Sequence, residues 1–171
     1  MDPQDLRVAH PRAAVEIVHR FWSEVWQPPH AIDAIDELVT EDFVLVSGGS
    51  EIRGREEFKD WVRRFHDTVG GIELEPVETF QSADGSRVAS RWTLTGTNNG
   101  FAGTAPDGGP VHMTGTAVWH VLPDGRLTHN YVERNAFELV QRLSVAPAAQ
   151  PAPPTASTGS TASTGSERTF S

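Results

Sequence analysis

Two runs rich in β-branched and aromatic residues, Val111 to Leu122 and Leu127 to Arg134, are separated only by Pro123-Asp124-Gly125 and followed by a short amphipathic segment ending at Leu143. An Asp-Gly turn between two such runs predicts an antiparallel hairpin. The device recurs upstream, where Ala83-Asp84-Gly85-Ser86 separates Ile72 to Gln81 from Arg87 to Asn98. From Ile72 onward the chain is therefore predicted to be almost wholly extended. If the sheet is curved, one face of the last hairpin lines a cavity, and Glu133, Tyr131 and His112 are the polar side chains expected to enter it.

The material before Ile72 has a different period. Pro11 suits a first helical turn, and Val15, Val18, Phe21, Trp22, Val25 and Trp26 repeat at three- and four-residue steps until Pro28-Pro29, which predicts a helix packed on something large and flat. Ile32, Ile35, Leu38 and Val39 predict a second short helix. Phe43 to Val46 predicts a strand, and Ser47-Gly48-Gly49-Ser50 a tight bend. A third helix opens at Gly54, carries Phe58, Trp61, Val62 and Phe65 on one stripe, and is expected to stop at Gly70-Gly71. Asn135, with Glu138 three residues later, predicts a capping box at the head of the last helix. Strands grouped after helices indicate an α+β domain with a curved antiparallel sheet, over about residues 12–145. Residues 1–11 read as a flexible lead. Residues 146–171, built of Pro, Ala, Ser, Thr and Gly, read as a disordered tail.

Composition narrows the function classes. Lys and Arg total 14 against 23 Asp and Glu, a net charge of -9, which opposes binding to a phosphate backbone; nucleic acid is not an expected partner. There is no cysteine, and the seven histidines show neither HxH nor HExxH spacing, so no metal is expected. No apolar run approaches the ~18 residues of a membrane span, and the N-terminus has no apolar core of a signal peptide. A cytoplasmic protein with no membrane partner is the expectation.

The element order, the segment Arg91-Trp92-Thr93-Leu94-Thr95-Gly96-Thr97-Asn98-Asn99-Gly100, the loop Gly103 to Pro110 and the ending Asp124-Gly125-Arg126-Leu127 before Tyr131 resemble the SnoaL-like branch of the NTF2-like superfamily. The resemblance covers roughly residues 12–145. It implies a conical α+β barrel whose helices and sheet enclose a hydrophobic pocket, with no metal or organic cofactor. It also implies a homodimer formed through the outer sheet face and a hydrophobic small-molecule substrate.

The resemblance further implies acid/base chemistry near the end of the last strand. Glu133 is the candidate catalytic group there, since a carboxylate inside an apolar cavity is usable as acid or base near neutral pH. His112 is its candidate partner. The candidate substrate-binding residues are Asn98, Tyr131, Trp92, His129, Trp22 and Val46. Asn98 stands where many members carry a histidine, and an amide there orients a carbonyl or hydroxyl but transfers no proton. Epoxide hydrolases of this fold use an Asp-Arg-Asp arrangement with a Tyr and an Asn positioning water, and ketosteroid isomerases use an Asp near Val46 or Ser47; none of these is present. The expected activity is a cofactor-independent cyclase or isomerase acting on a polyketide- or terpenoid-like molecule of secondary metabolism. The alternatives are a non-catalytic binding or dimerisation module and an epoxide-opening enzyme.

Overall fold

The computed structural model describes residues 11–145; the expectations for the flexible lead before Pro11 and for the tail from residue 146 lie outside the described residues. Helix α1 (Pro11–Val25) is followed by a 3-10 turn (Ile32–Ala34) and a single helical turn α2 (Ile35–Leu38). Strands β1 (Val39–Ser47) and β2 (Ser50–Arg53) form a hairpin, α3 (Arg55–Thr68) follows, and β3 (Val69–Gln81), β4 (Arg87–Asn98), β5 (Pro110–Val121) and β6 (Leu127–Arg134) complete the sheet before α4 (Ala136–Ser144). This is the expected α+β fold, a curved sheet of six strands that does not close, in the order β2-β1-β6-β5-β4-β3.

All neighbours in the sheet are antiparallel except β1 and β6, which run parallel from Val44↔His129 to Ser47↔Val132. The parallel pair brings the first strand of the chain beside the last, so this part of the sheet is assembled from residues far apart in sequence. Pairing of β4 with β5 is unbroken from Arg87↔His120 to Thr97↔Pro110.

Burial alternates along β5: Val111, Met113, Ala117 and Trp119 are buried, whereas His112, Thr114, Thr116 and Val118 are exposed or half-buried. The buried set faces α1 and α3, whose stripes Val18, Phe21, Trp22 and Val25, and Phe58, Val62 and Phe65, supply the other half of the core. Trp119, fully buried, meets Phe21 edge-on at 4.7 Å and Trp22 at 5.5 Å between ring centres. Lys59 of α3 is also buried, and its ammonium donates to both carboxylate oxygens of Asp36 at 3.0 and 2.9 Å, which ties α3 to α2.

Two local expectations change. Gly70 and Gly71 do not terminate α3 but lie within β3, whose register shifts between Gly70 and Glu73; Gly71 takes φ 57°, the left-handed region a bulge at this place requires. The capping box does not form. Asn135 accepts a hydrogen bond from the Thr114 amide at 2.9 Å through Oδ1, so its side chain extends the β5 ladder instead of capping α4. Among the described residues no helix is long and apolar enough to cross a membrane.

Candidate small-molecule cavity

One irregularity decides which side chains reach the interior. In the β5–β6 hairpin His120 pairs with His129 but Val121 pairs with Leu127, so Thr128 is an extra residue in β6. Leu127 is buried against the core, and with the bulge interposed the next inward residue is Asn130, followed by Val132 and Arg134. A regular strand would have turned His129, Tyr131 and Glu133 inward; here they face away from the helices.

The expected placements are corrected accordingly. Glu133 is exposed and lines an open groove with Arg91, Thr114 and Thr116, which Trp92 and Arg134 also border, while Arg91 itself pairs with Glu78 at 2.9 Å. His112 shares the outer face of β5 with Thr114 and Thr116, and it lies opposite Thr95 rather than toward Glu133. His129, Tyr131 and His120 form a cluster on that same face, with the Tyr131 and His120 rings 5.3 Å apart. Burial pushes the His120 imidazole below its usual value, helped by Arg87 and His129. Val46 pairs with Tyr131 and is likewise turned outward; Leu45, its neighbour, faces the cavity.

Asn98 is buried, but its amide is consumed by the loop that follows it. Nδ2 donates to the Ala105 carbonyl at 2.8 Å and to Asp107 Oδ1 at 3.0 Å, and Oδ1 accepts from the Gly100 and Phe101 amides at 3.0 and 2.9 Å. The Gly109 amide and Asn98 together hold the Asp107 carboxyl below the usual range. Asn98 therefore shapes the loop and does not line the cavity.

The cavity itself lies between the helices and the inner sheet face. Helix α1 and the residue after it contribute Phe21, Trp22 and Trp26; α3 contributes Phe58, Trp61 and Phe65. The floor is Leu45, Leu74, Trp92 and Leu94, and β6 supplies Asn130, Val132 and Arg134. Trp22 and Trp92 are thus the two sequence-nominated residues that meet here, their rings 6.3 Å apart. Trp92 is seated over Gly115 of β5, where an added Cβ would stand 2.3 Å from its ring. The enclosed volume is about 30 Å³, enough for one or two water molecules, so a larger guest must displace aromatic side chains.

The polar inventory of this lining is short. Trp22 Nε1 donates to Ser90 Oγ at 3.1 Å, but Trp26 Nε1, Trp92 Nε1 and Asn130 Oδ1 are buried without a partner. The guanidinium of Arg134 stands over the faces of Trp61 and Phe65, 5.7 and 5.4 Å from the ring centres. Burial alone pushes the Arg134 pKa down. Among the described residues the cavity lining includes no carboxylate and no imidazole. Behind the lining His66 is stacked on Trp26 at 5.5 Å with Nε2 unpartnered; burial and then His30, 4.6 Å away, lower its pKa. Among the described residues no group of three or more His, Asp or Glu is placed to hold a metal ion.

Sequence reasoning missed Asn130, Arg134, Trp26, Trp61 and Phe65. The signal for the last three was their stripe spacing on the helices; the inward turn of β6 had no sequence signal apart from its partner's. In β5 the polar residues His112, Thr114 and Thr116 alternate with Val111, Met113 and Ala117, which already puts His112 on the outside.

A family model described as a SnoaL-like domain matches residues 18–130. No curated protein sequence matches the chain. Among solved structures, a candidate SnoaL-like polyketide cyclase from Jannaschia sp. CCS1 superposes with TM-score 0.71 at 21% identity, over 80% of this chain and 94% of that one. A candidate polyketide cyclase from Xanthomonas campestris pv. campestris gives 0.70 at 21% identity, over 78% and 98%. An epoxide hydrolase of M. tuberculosis gives 0.60 at 21% identity, over 77% and 85%. At these identities the likeness is one of fold.

Proposed function

The chain belongs to the SnoaL-like domain family, and from that premise we propose that it is a cyclase or isomerase, independent of cofactors, for a hydrophobic polyketide- or terpenoid-like small molecule held in the cavity. The observation that carries this reading is the lining: aromatic side chains from α1, the residue after it, α3 and β4, with leucines and a valine from the strands, interrupted by Arg134, Asn130 and unpartnered indole N–H groups. Such walls fold a flexible chain into one conformation, and N–H donors in a dry site stabilise negative charge that develops on a carbonyl oxygen. With no carboxylate or imidazole among the described lining residues, confinement and oxyanion stabilisation supply the rate enhancement, and Glu133 on the outer face takes no part.

A chemical test uses methyl 3,5-dioxohexanoate, whose enol oxygen attacks its own ester carbonyl to give 4-hydroxy-6-methyl-2-pyrone; the enol proton leaves with methoxide as methanol. The wild-type protein is expected to accelerate pyrone formation, followed by absorbance, over the buffer rate. Leu94→Trp, which fills the cavity floor, abolishes the acceleration, and Glu133→Gln leaves it unchanged. A wild-type rate equal to buffer, or loss of rate in Glu133→Gln, contradicts the proposal.

A second reading, binding without turnover, is favoured by the same lack of an acid/base pair and by the small enclosed volume. Opening an epoxide needs an acid for its oxygen and a base for the nucleophile, and the described lining offers neither, so that chemistry is not adopted.

The reading extends to a homodimer through the outer sheet face. Val46, Tyr131, Val118, Ala89 and Phe80 are successive cross-strand partners and make one apolar row across that face, with Tyr131 40%, Val118 37% and Phe80 61% exposed. Sedimentation velocity at micromolar concentration is expected to show a dimer that Val118→Lys converts to monomer; a monomeric wild type contradicts it.

A further inference from the structure

Arg134 is a half-buried cation that makes no ion pair among the described residues, although it borders the open groove that Glu133 also lines. Taking a guanidinium out of water is costly unless a partner anion or hydrogen-bond acceptors compensate it. Here its charge lies against two aromatic faces, which recover part of that cost. Among the described residues it makes no ion pair and no side-chain hydrogen bond, although the chain as a whole has carboxylates in excess, 23 against 14 basic groups. Around the same cavity lie further unmet donors, Trp92 Nε1 and Trp26 Nε1. A cavity whose unmet donors include a planar fork matches an oxygen pair sharing one negative charge, since guanidinium binds such pairs with two parallel bonds.

We propose that this cavity, once its aromatic side chains move apart to admit a guest larger than water, takes its ligand as a monoanion: a flat, largely apolar molecule whose charge is delocalised over two oxygens, held by Arg134 with the apolar body between Trp22, Trp26 and Trp61. A carboxylate and the enolate of a 1,3-dicarbonyl share this chemistry. The inference rests on the cavity being the ligand site and adds the charge and shape of what enters it.

The test is isothermal titration calorimetry on the full chain with two anions and their neutral counterparts. Trans-cinnamate is set against trans-cinnamamide, and 5,5-dimethylcyclohexane-1,3-dione, as its enolate above neutral pH, against 3,3-dimethylcyclohexanone. At least one anion is expected to bind about tenfold or more tightly than its neutral partner, and which one does so distinguishes carboxylate from enolate. In Arg134→Met that preference falls below about twofold while the neutral compound binds as before. The same variant is expected to melt at or above the wild-type temperature, because it replaces an uncompensated cation by an apolar side chain. Equal binding of anions and neutrals, a preference that survives Arg134→Met, or a variant that melts well below wild type overturns the charge inference and leaves the cavity reading standing. Failure of all four compounds to bind the folded wild type overturns both.

Discussion

Trp119→Ala is expected to cost about 3–5 kcal/mol, the range for truncating a buried tryptophan in a packed core. Trp119 has no exposed surface, and its ring is held by Phe21 at 4.7 Å, Trp22 at 5.5 Å and Phe43 at 6.5 Å between ring centres. It does not line the cavity; it stands behind Phe21 and Trp22, which do. Its loss therefore removes the backing of the helix-borne wall as well as buried area. Against a total stability of about 5–15 kcal/mol for a domain of ordinary size, such a loss is large enough to move a urea midpoint visibly. Trp119→Phe retains most of the ring contacts and deletes an indole N–H that has no partner, so its cost is smaller. A change below about 1 kcal/mol in the alanine variant would show that the surrounding rings collapse into the space.

The second large effect lies in the loop after β4. Asn98→Asp removes both donors of Nδ2, leaving the Ala105 carbonyl unmet and placing a second carboxylate about where an amide now stands 3.0 Å from Asp107 Oδ1. The expected cost at neutral pH is on the order of 3 kcal/mol, from the lost bonds and the like-charge contact. The pH dependence has a definite sign. In the wild type the Asp107 carboxyl titrates below its usual value, so its contribution is present at neutral pH and is lost as pH falls through that lowered value. In the variant the like-charge contact makes the pair take up its first proton more readily than a lone carboxylate, and that single protonation on acidification relieves the repulsion. Between about pH 7 and about pH 4.5 the wild-type contribution is still in place, because that window lies above the ordinary carboxylate value, so the relief of repulsion in the variant is what narrows the gap between the proteins. Thermal unfolding at about pH 7 and about pH 4.5 is expected to show the smaller difference at the lower pH; a constant or growing gap would remove the like-charge explanation.

The strands and helices were legible because each has its own period. The spacing of Phe21, Trp22 and Val25, and of Phe58, Val62 and Phe65, identifies both helical faces of the core, and the Asp-Gly turns mark the hairpins. Less visible was β2, four residues without a buried side chain, and the parallel contact of β1 with β6, since neither leaves a local pattern. The role of Asn98 was misjudged for a related reason. The resemblance suggested a substrate-binding residue there, but the loop from Asn99 to Gly109 folds back and uses every polar atom of its amide.

The sequence by itself determined the α+β class, the hairpins, the apolar stripes of α1 and α3, and the likeness to SnoaL-like proteins. Those properties are carried by local periodicity and turn chemistry, which neighbouring residues suffice to express. Only the tertiary structure decided which face of β6 reaches the cavity. Side chains in a strand alternate with period two, so one extra residue exchanges every inward side chain beyond it for its neighbour. The bulge at Thr128 does this, and the inward set becomes Asn130, Val132 and Arg134 in place of His129, Tyr131 and Glu133. Its position is fixed by how β6 meets β5 and β1 together, and the exchange puts a cation where the strand's sequence suggested a carboxylate.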